Sequence, residues 1–430
     1  MNTLIAPEKQ RMLSLDVLRG VAILGILPMN ILVFCAPFAA YGNPSIYFEG
    51  TALNYWIHGV IHVIFDLKMM ALFSMLFGAG IAIYDAKSRK DGVDQTAKIR
   101  WLWIRRACWL AFFGILHMVF IWEGDILFGY AMTSLVFAWW VRRLPTPWLV
   151  AVMGAVLLIH IVLAAGFGWI MHFIPVPGED ATPEQIAQYE ESIAFIDPSP
   201  AQVAMLEEVY RGGYWGLLQH RLPLIAIIQL GMFPVYMLWR TGGLMLLGIL
   251  LMRKGVLTGD RSPKFYGLMA AAGYLVGLPL VLGGLYLNAS NQWDPMYFSF
   301  PGQMPNTIGS IAVMLGHAGL LLWIVRSGVL STVTGVLAKV GRMAFTNYIS
   351  QSVICALIFY GYGAGLYGEI DRLGLIGIVA AIWLLQIAWS NAWLSAFRMG
   401  PLEWLWRTLT YMKPQPLRLQ SGSSEGAPPA

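Results

Sequence analysis

Arg11-Met-Leu-Ser-Leu-Asp16-Val-Leu-Arg19-Gly-Val-Ala-Ile-Leu-Gly-Ile-Leu-Pro-Met-Asn30 is the stretch that decides the fold. It is an apolar helix with Asp16 and Arg19 at its mouth and Asn30 deep along it. Charged groups at a membrane boundary are expensive, so they come with partners. Asp16 and Arg19 are three residues apart, share a helix face and can pair. The charges interrupt what would otherwise pass for a signal-peptide n-region, and the run is long enough to span. It is therefore read as a retained span.

The rest of the chain agrees. Of 430 residues, 58% are hydrophobic and only 12% charged, about half the charged share of an ordinary soluble domain. A soluble protein this apolar could not cover its surface, so the partner is the lipid bilayer. Windows of about 20 apolar residues predict about ten transmembrane helices: 17–37, 56–84, 104–122, 126–141, 147–173, 223–252, 265–287, 306–325, 334–360 and 374–396. The fold class is an all-α polytopic membrane protein.

Basic residues set the orientation. Lys87, Arg89, Lys90, Lys98, Arg100, Arg105 and Arg106 crowd the second connection. Arg142 and Arg143 follow the fourth span, and Arg253, Lys254, Arg261 and Lys264 the sixth. The alternate connections 38–55 and 288–305 hold no Lys or Arg. Ten spans with both termini cytoplasmic satisfy this alternation. The net charge of +5 is thus membrane topology and excludes a nucleic-acid partner. Cys35, Cys108 and Cys355 sit scattered in apolar runs, with neither disulfide nor metal spacing. Nothing in the sequence fixes an oligomeric state.

Four parts are expected: an N-terminal five-helix half, 1–173; an extracytoplasmic connection, 174–222; a C-terminal five-helix half with an interfacial helix, 223–411; and a disordered tail, 412–430. Residues 183–213 of the connection read as one amphipathic helix lying outside the bilayer.

Three polar clusters could carry chemistry. On the second span His58, His62 and Asp66 form a stripe about 80° wide. Asp66 beneath a histidine can fix its tautomer and raise its basicity, as a general base needs. The segment Asn54–Tyr84 is about 46 Å long at 1.5 Å per residue, so it protrudes or breaks, with Gly59 the candidate break. Lys68 falls nearly opposite Asp66 on an ideal helix. One helix offers too few ligands for a metal site. At the third-to-fourth turn, His117, Glu123 and Asp125 sit near the outer surface and could face His58. Alternatively the turn is merely solvated, with Asp125 an N-cap.

On the last two spans Arg342, Asn347 and Gln351 stripe one helix and Gln386, Ser390 and Asn391 the other. Buried amides demand partners. Either they glue the helices or they line a cavity with Asp16, Arg19, Arg105 and Arg106, which would suit a phosphorylated donor. Arg240, inside the sixth run, needs a partner or a water path.

Together these residues resemble YeiB-type membrane proteins, the DUF418 family. The likeness rests on Leu15-Asp16 with Arg19-Gly20, on Leu72-Phe-Ser-Met-Leu-Phe-Gly-Ala-Gly80, and on His117 with Glu123-Gly-Asp125. It continues in Gly341-Arg-Met-Ala-Phe-Thr-Asn-Tyr-Ile-Ser-Gln-Ser352 and Gly400-Pro-Leu-Glu-Trp-Leu-Trp-Arg407. The family is similar to the transmembrane acyltransferase superfamily, which includes the heparan glucosaminide acetyltransferases and the acyltransferase-3 proteins. That likeness implies transfer of an acyl group from cytoplasmic acyl-CoA, the donor substrate, to a hydroxyl or amine of a small-molecule or glycan acceptor, in the inner membrane of a bacterium, by a histidine. The acyltransferase-3 pattern has a histidine where this chain has Asn30, so the implied catalytic residue moves to His58, supported by Asp66. Export or transport of a small molecule through the same clusters, and a non-catalytic scaffold, are the competing expectations.

Overall fold

A computed structural model describes residues 8–47, 51–87, 95–171 and 173–419. Arg89, Lys90 and His172 lie outside the described residues. The chain is an all-helical bundle whose apolar runs become α1 (Glu8–Cys35), α2 (Ala52–Ile64), α3 (Lys68–Lys87), α4 (Thr96–Phe120), α5 (Leu127–Val141) and α6 (Thr146–Met171). After the outer connection come α7 (Pro183–Ile193), α8 (Pro200–Arg211), α9 (Tyr214–Arg253), α10 (Pro263–Ser290) and α11 (Met304–Ser327). The chain closes with α12 (Ser331–Arg342), α13 (Ala344–Phe359), α14 (Arg372–Ala396) and α15 (Pro401–Tyr411).

Among the described residues, eight helices are long and apolar enough to cross a membrane, with α2 and α3 counted as one, and α5 and α13 are shorter apolar helices. This agrees with an all-α polytopic membrane protein. Among the described residues the isolated bridge between Phe397 and Arg418 is the only β pairing.

Close backbone approach holds the centre together. A Cβ on Gly78 of α3 would strike the backbone of Met245 of α9, and one on Gly248 of α9 would strike Met75 of α3. Gly80, in contrast, faces open space.

Four expectations change. The run 334–360 is two helices, α12 and α13, parted at Met343. The reason lies far along the chain: Glu403 of α15 accepts from Phe345 N at 2.7 Å, Thr346 N at 3.1 Å and Thr346 Oγ1 at 2.6 Å, capping α13 from another helix. The amphipathic stretch 183–213 is also two helices. Pro198 and Pro200 interrupt it, and Ser199 starts α8 with a capping box to Gln202. The tail is pinned up to Leu419, through Arg398 N to Leu417 O at 2.8 Å and Trp404 Nε1 to Gln415 O at 2.7 Å; residues 420–430 lie outside the described residues. Finally, Gly59 is helical and the second span breaks at Phe65–Leu67 instead.

Burial raises the Glu403 carboxyl above the ordinary carboxylate range, and the bonds from Thr346 and Phe345 pull it partway back. Folded protein therefore holds this proton more tightly than unfolded chain. Between the ordinary and the raised value, stability falls as pH rises. The melting temperature of Glu403→Gln is expected to fall less steeply with pH through that window than wild type. Parallel curves would contradict it. Glu403→Ala should cost about 1–2 kcal/mol through loss of the cap.

Candidate functional site

The second-span cluster is built by the helix break. Leu67 takes a left-handed backbone, φ 60°, which costs a non-glycine residue about 1–2 kcal/mol. The turn frees carbonyls at the end of α2, and side chains take them: Lys68 Nζ donates to His62 O at 2.7 Å, and His317 Nε2 meets Ile64 O at 3.0 Å. The same turn swings Lys68 to the side of Asp66, which an unbroken helix would not do. Lys68 Nζ reaches Asn306 Oδ1 at 2.6 Å, and Asn306 Nδ2 donates to Asp66 Oδ2 at 2.7 Å.

Asp66 also accepts from Tyr41 OH at 2.6 Å and pairs with His62 Nδ1 at 3.0 Å. So the histidine that Asp66 supports is His62. The expected Asp66–His58 arrangement is not formed: His58 stacks on His62 at 5.8 Å and meets Trp293 edge-on at 5.2 Å. Its Nε2 is buried without a hydrogen-bond partner.

The turn after α4 forms a second dyad. His117 Nδ1 lies 2.8 Å from Asp125 Oδ2, and both residues are buried, at 1% and 4% exposure. Asp125 Oδ1 accepts from Phe128 N at 2.8 Å, capping α5. Asp125 thus serves both as a cap and as the partner of His117, one oxygen for each, in a turn that is buried and not solvated. A carboxylate on Nδ1 fixes the tautomer whose Nε2 accepts a proton. Here Nε2 is buried with no partner, and the ring lies 5.1 Å from that of Tyr348.

Glu123 stands beside this dyad in an ion pair with Arg221, Nε to Oε2 2.9 Å, and accepts from Tyr210 OH at 2.7 Å. Burial, then the Glu123 carboxylate, push the Tyr210 phenol far above its ordinary range, so it stays a donor. No hydrogen bond or ring contact joins His117 to His58 among the described residues. An open cleft of about 470 Å³ lies over this end, lined by Ile46, Tyr47, Pro198, Val203 and Glu207. Glu207 is one turn before Tyr210 on α8.

The basic end is organised around Asp16, which accepts from Arg19 at 2.9 Å. Arg342 and Arg407 lie within electrostatic range of Asp16. Arg106 stacks over Trp406 at 3.5 Å and over Tyr84 at 5.5 Å. Arg105, one position earlier, is exposed, whereas Arg106 is half-buried. The amide stripe is interhelical glue: Asn347 bonds Ser390 at 3.1 Å, and Gln351 bonds Gln386 at 2.8 Å and Ile23 O at 2.9 Å. Among the described residues no hydrogen bond joins these amides to Asp16 or Arg19.

Arg106 and His117 are eleven residues apart on α4. At 100° per residue they share a face, about 16 Å apart along the axis. Phe345 fills the interval, with its ring 5.8 Å from Trp406 and 5.4 Å from Phe113.

Sequence reasoning missed Arg407, Trp406, Tyr84, Tyr210, Tyr348 and Arg221 as members of these sites. Trp406 and Tyr348 both fall in the C-terminal blocks already quoted. A signal for Arg221 existed in the need of a buried Glu123 for a cation.

Residues 251–413 match the family described as "Protein of unknown function (DUF418)". The chain is 31% identical over 404 residues to the "Uncharacterized protein YeiB" of Escherichia coli (strain K12), covering 93% of this chain and 96% of the relative. It is 27% identical over 419 residues to the "Uncharacterized protein YxaH" of Bacillus subtilis (strain 168), covering 95% and 96%. No solved structure matches the chain.

Proposed function

Because the chain belongs to the DUF418 family of multi-pass membrane proteins, alongside YeiB and YxaH, we propose that its buried charge serves acyl transfer across the bacterial inner membrane, with the basic end in the cytoplasm. The observation that carries this reading is the His117–Asp125 pair at 2.8 Å, whose free Nε2 shares a helix face with Arg106.

In this reading the phosphates of acyl-CoA bind Arg19, Arg106, Arg342 and Arg407 at the cytoplasmic end. The flexible pantetheine arm runs along α4 past Phe345. A hydroxyl or amine acceptor enters through the outer cleft at Tyr47 and Glu207. His117 Nε2 takes the acceptor proton as its oxygen or nitrogen attacks the thioester carbonyl. The carbon–sulfur bond breaks, and the CoA thiolate leaves with the proton that His117 returns. Asp125 keeps the ring oriented and balances the imidazolium. Phe345 and the first turn of α13 must move to open the lane.

Purified protein in bacterial-lipid vesicles, given acyl-labelled acetyl-CoA and crude envelope glycans, should release CoA thiol in step with acceptor labelling. Thiol release that is absent under every acceptor would overturn the reading.

A second reading, passage of a small solute, is favoured by the helix break at Asp66, since discontinuous helices with buried charge mark transporter sites. Solute movement in vesicles free of any CoA compound would decide for it.

A further inference from the structure

We infer that the break between α2 and α3 holds a small monovalent anion beside Arg240. This rests on charge balance in the membrane interior and is independent of acyl transfer.

Lys68 and Arg240 are both fully buried, at 0% exposure. Lys68 is bound by neutral oxygens, those of His62 O and Asn306 Oδ1. Arg240 is bound by neutral oxygens as well: NH1 donates to Thr307 O at 3.1 Å and NH2 to Ser310 Oγ at 2.7 Å. Its Nε has no partner. Among the described residues the one carboxylate in this network is Asp66, and its two oxygens are already engaged by Tyr41, Asn306 and His62.

Two cations therefore face one anion. The helix ends widen the deficit, because α3 starts at Lys68 and α11 at Met304, and a helix N-terminus carries partial positive charge. The other groups that face the network, Tyr41, Tyr130, Tyr236, His62 and His160, carry no fixed negative charge. An uncompensated buried cation costs several kcal/mol in a low-dielectric interior. A bound anion removes that cost and supplies the missing acceptor for Arg240 Nε. The deficit is one unit, so the ligand is monovalent: a halide or a small carboxylate. Ile227–Met237, the segment leading to Arg240, is π-helical, a geometry that recurs at functional sites.

The test uses full-length protein in detergent, exchanged into sodium gluconate and titrated with sodium bromide at constant ionic strength. The melting temperature is expected to rise and saturate. Crystals in bromide should give an anomalous peak within hydrogen-bond reach of Arg240, and Arg240→Gln should lose the bromide response. If Arg240→Gln does not fold, the wild-type anomalous map decides alone. A rise that never saturates, a response retained in Arg240→Gln, or bromide peaks only elsewhere overturns the proposal.

Discussion

If the protein transfers acyl groups as proposed, His117→Gln should lower transfer by about 100-fold or more, the usual size of a general-base contribution, while the protein stays folded. Glutamine keeps much of the ring's volume and can still face Asp125, so packing around Tyr348 and Trp122 is retained. What it cannot do is accept a proton. Asp125→Asn should have a similar effect on turnover, because its amide would no longer impose the tautomer that leaves Nε2 free. Asp125 also caps α5 through its second oxygen, so that variant should lose some stability, whereas His117→Gln should not. His58→Gln, by contrast, should leave transfer nearly intact, since no carboxylate bonds its ring among the described residues. Thiol-release assays on the three variants, beside their melting curves, check this. Full activity in His117→Gln with loss in His58→Gln would restore the expectation drawn from sequence.

The second large effect concerns stability. Glu123→Ala should destabilise the protein by about 3–5 kcal/mol, because it strands a fully buried cation. Arg221 is 0% exposed and its ion pair is with Glu123. Removing both charges, in Glu123→Gln with Arg221→Met, should recover most of the loss, since a well-packed neutral pair avoids the desolvation cost. Unfolding monitored in mild detergent gives the comparison. A double variant as unstable as Glu123→Ala would mean that the loss comes from packing around Tyr210 and Tyr360 and not from the stranded charge.

The fold was legible where it depended on composition. Long apolar runs and clustered arginines mark helices and their ends directly, because the bilayer penalises every exception. What stayed hidden depended on partners distant in sequence. Glu403 caps α13 from 57 residues away, and nothing local to Met343 announces that break. The carbonyls freed at the break are taken by Lys68 and by His317, 253 residues away, so the expectation fell on Gly59, the residue with the most local freedom.

The candidate site followed the same pattern. His117, Glu123 and Asp125 were visible as expensive polar groups in an apolar run. Their partners Arg221 and Tyr210 come from the connection and from α9, which only the fold brings near. The amides at Asn347 and Gln351 were equally visible, but a buried amide reads alike whether it binds a ligand or a neighbouring helix. Here both bind helices.

Sidedness of labelling tests acyl transfer across the membrane most directly. Protein is sealed in vesicles with its basic end outward, acyl-labelled acetyl-CoA is added outside, and the acceptor is trapped inside. Label should accumulate on the inner acceptor while equimolar CoA thiol appears outside, in wild type and not in His117→Gln. Label that never leaves the thioester, or that crosses equally well in the variant, would contradict a transferase built on this dyad.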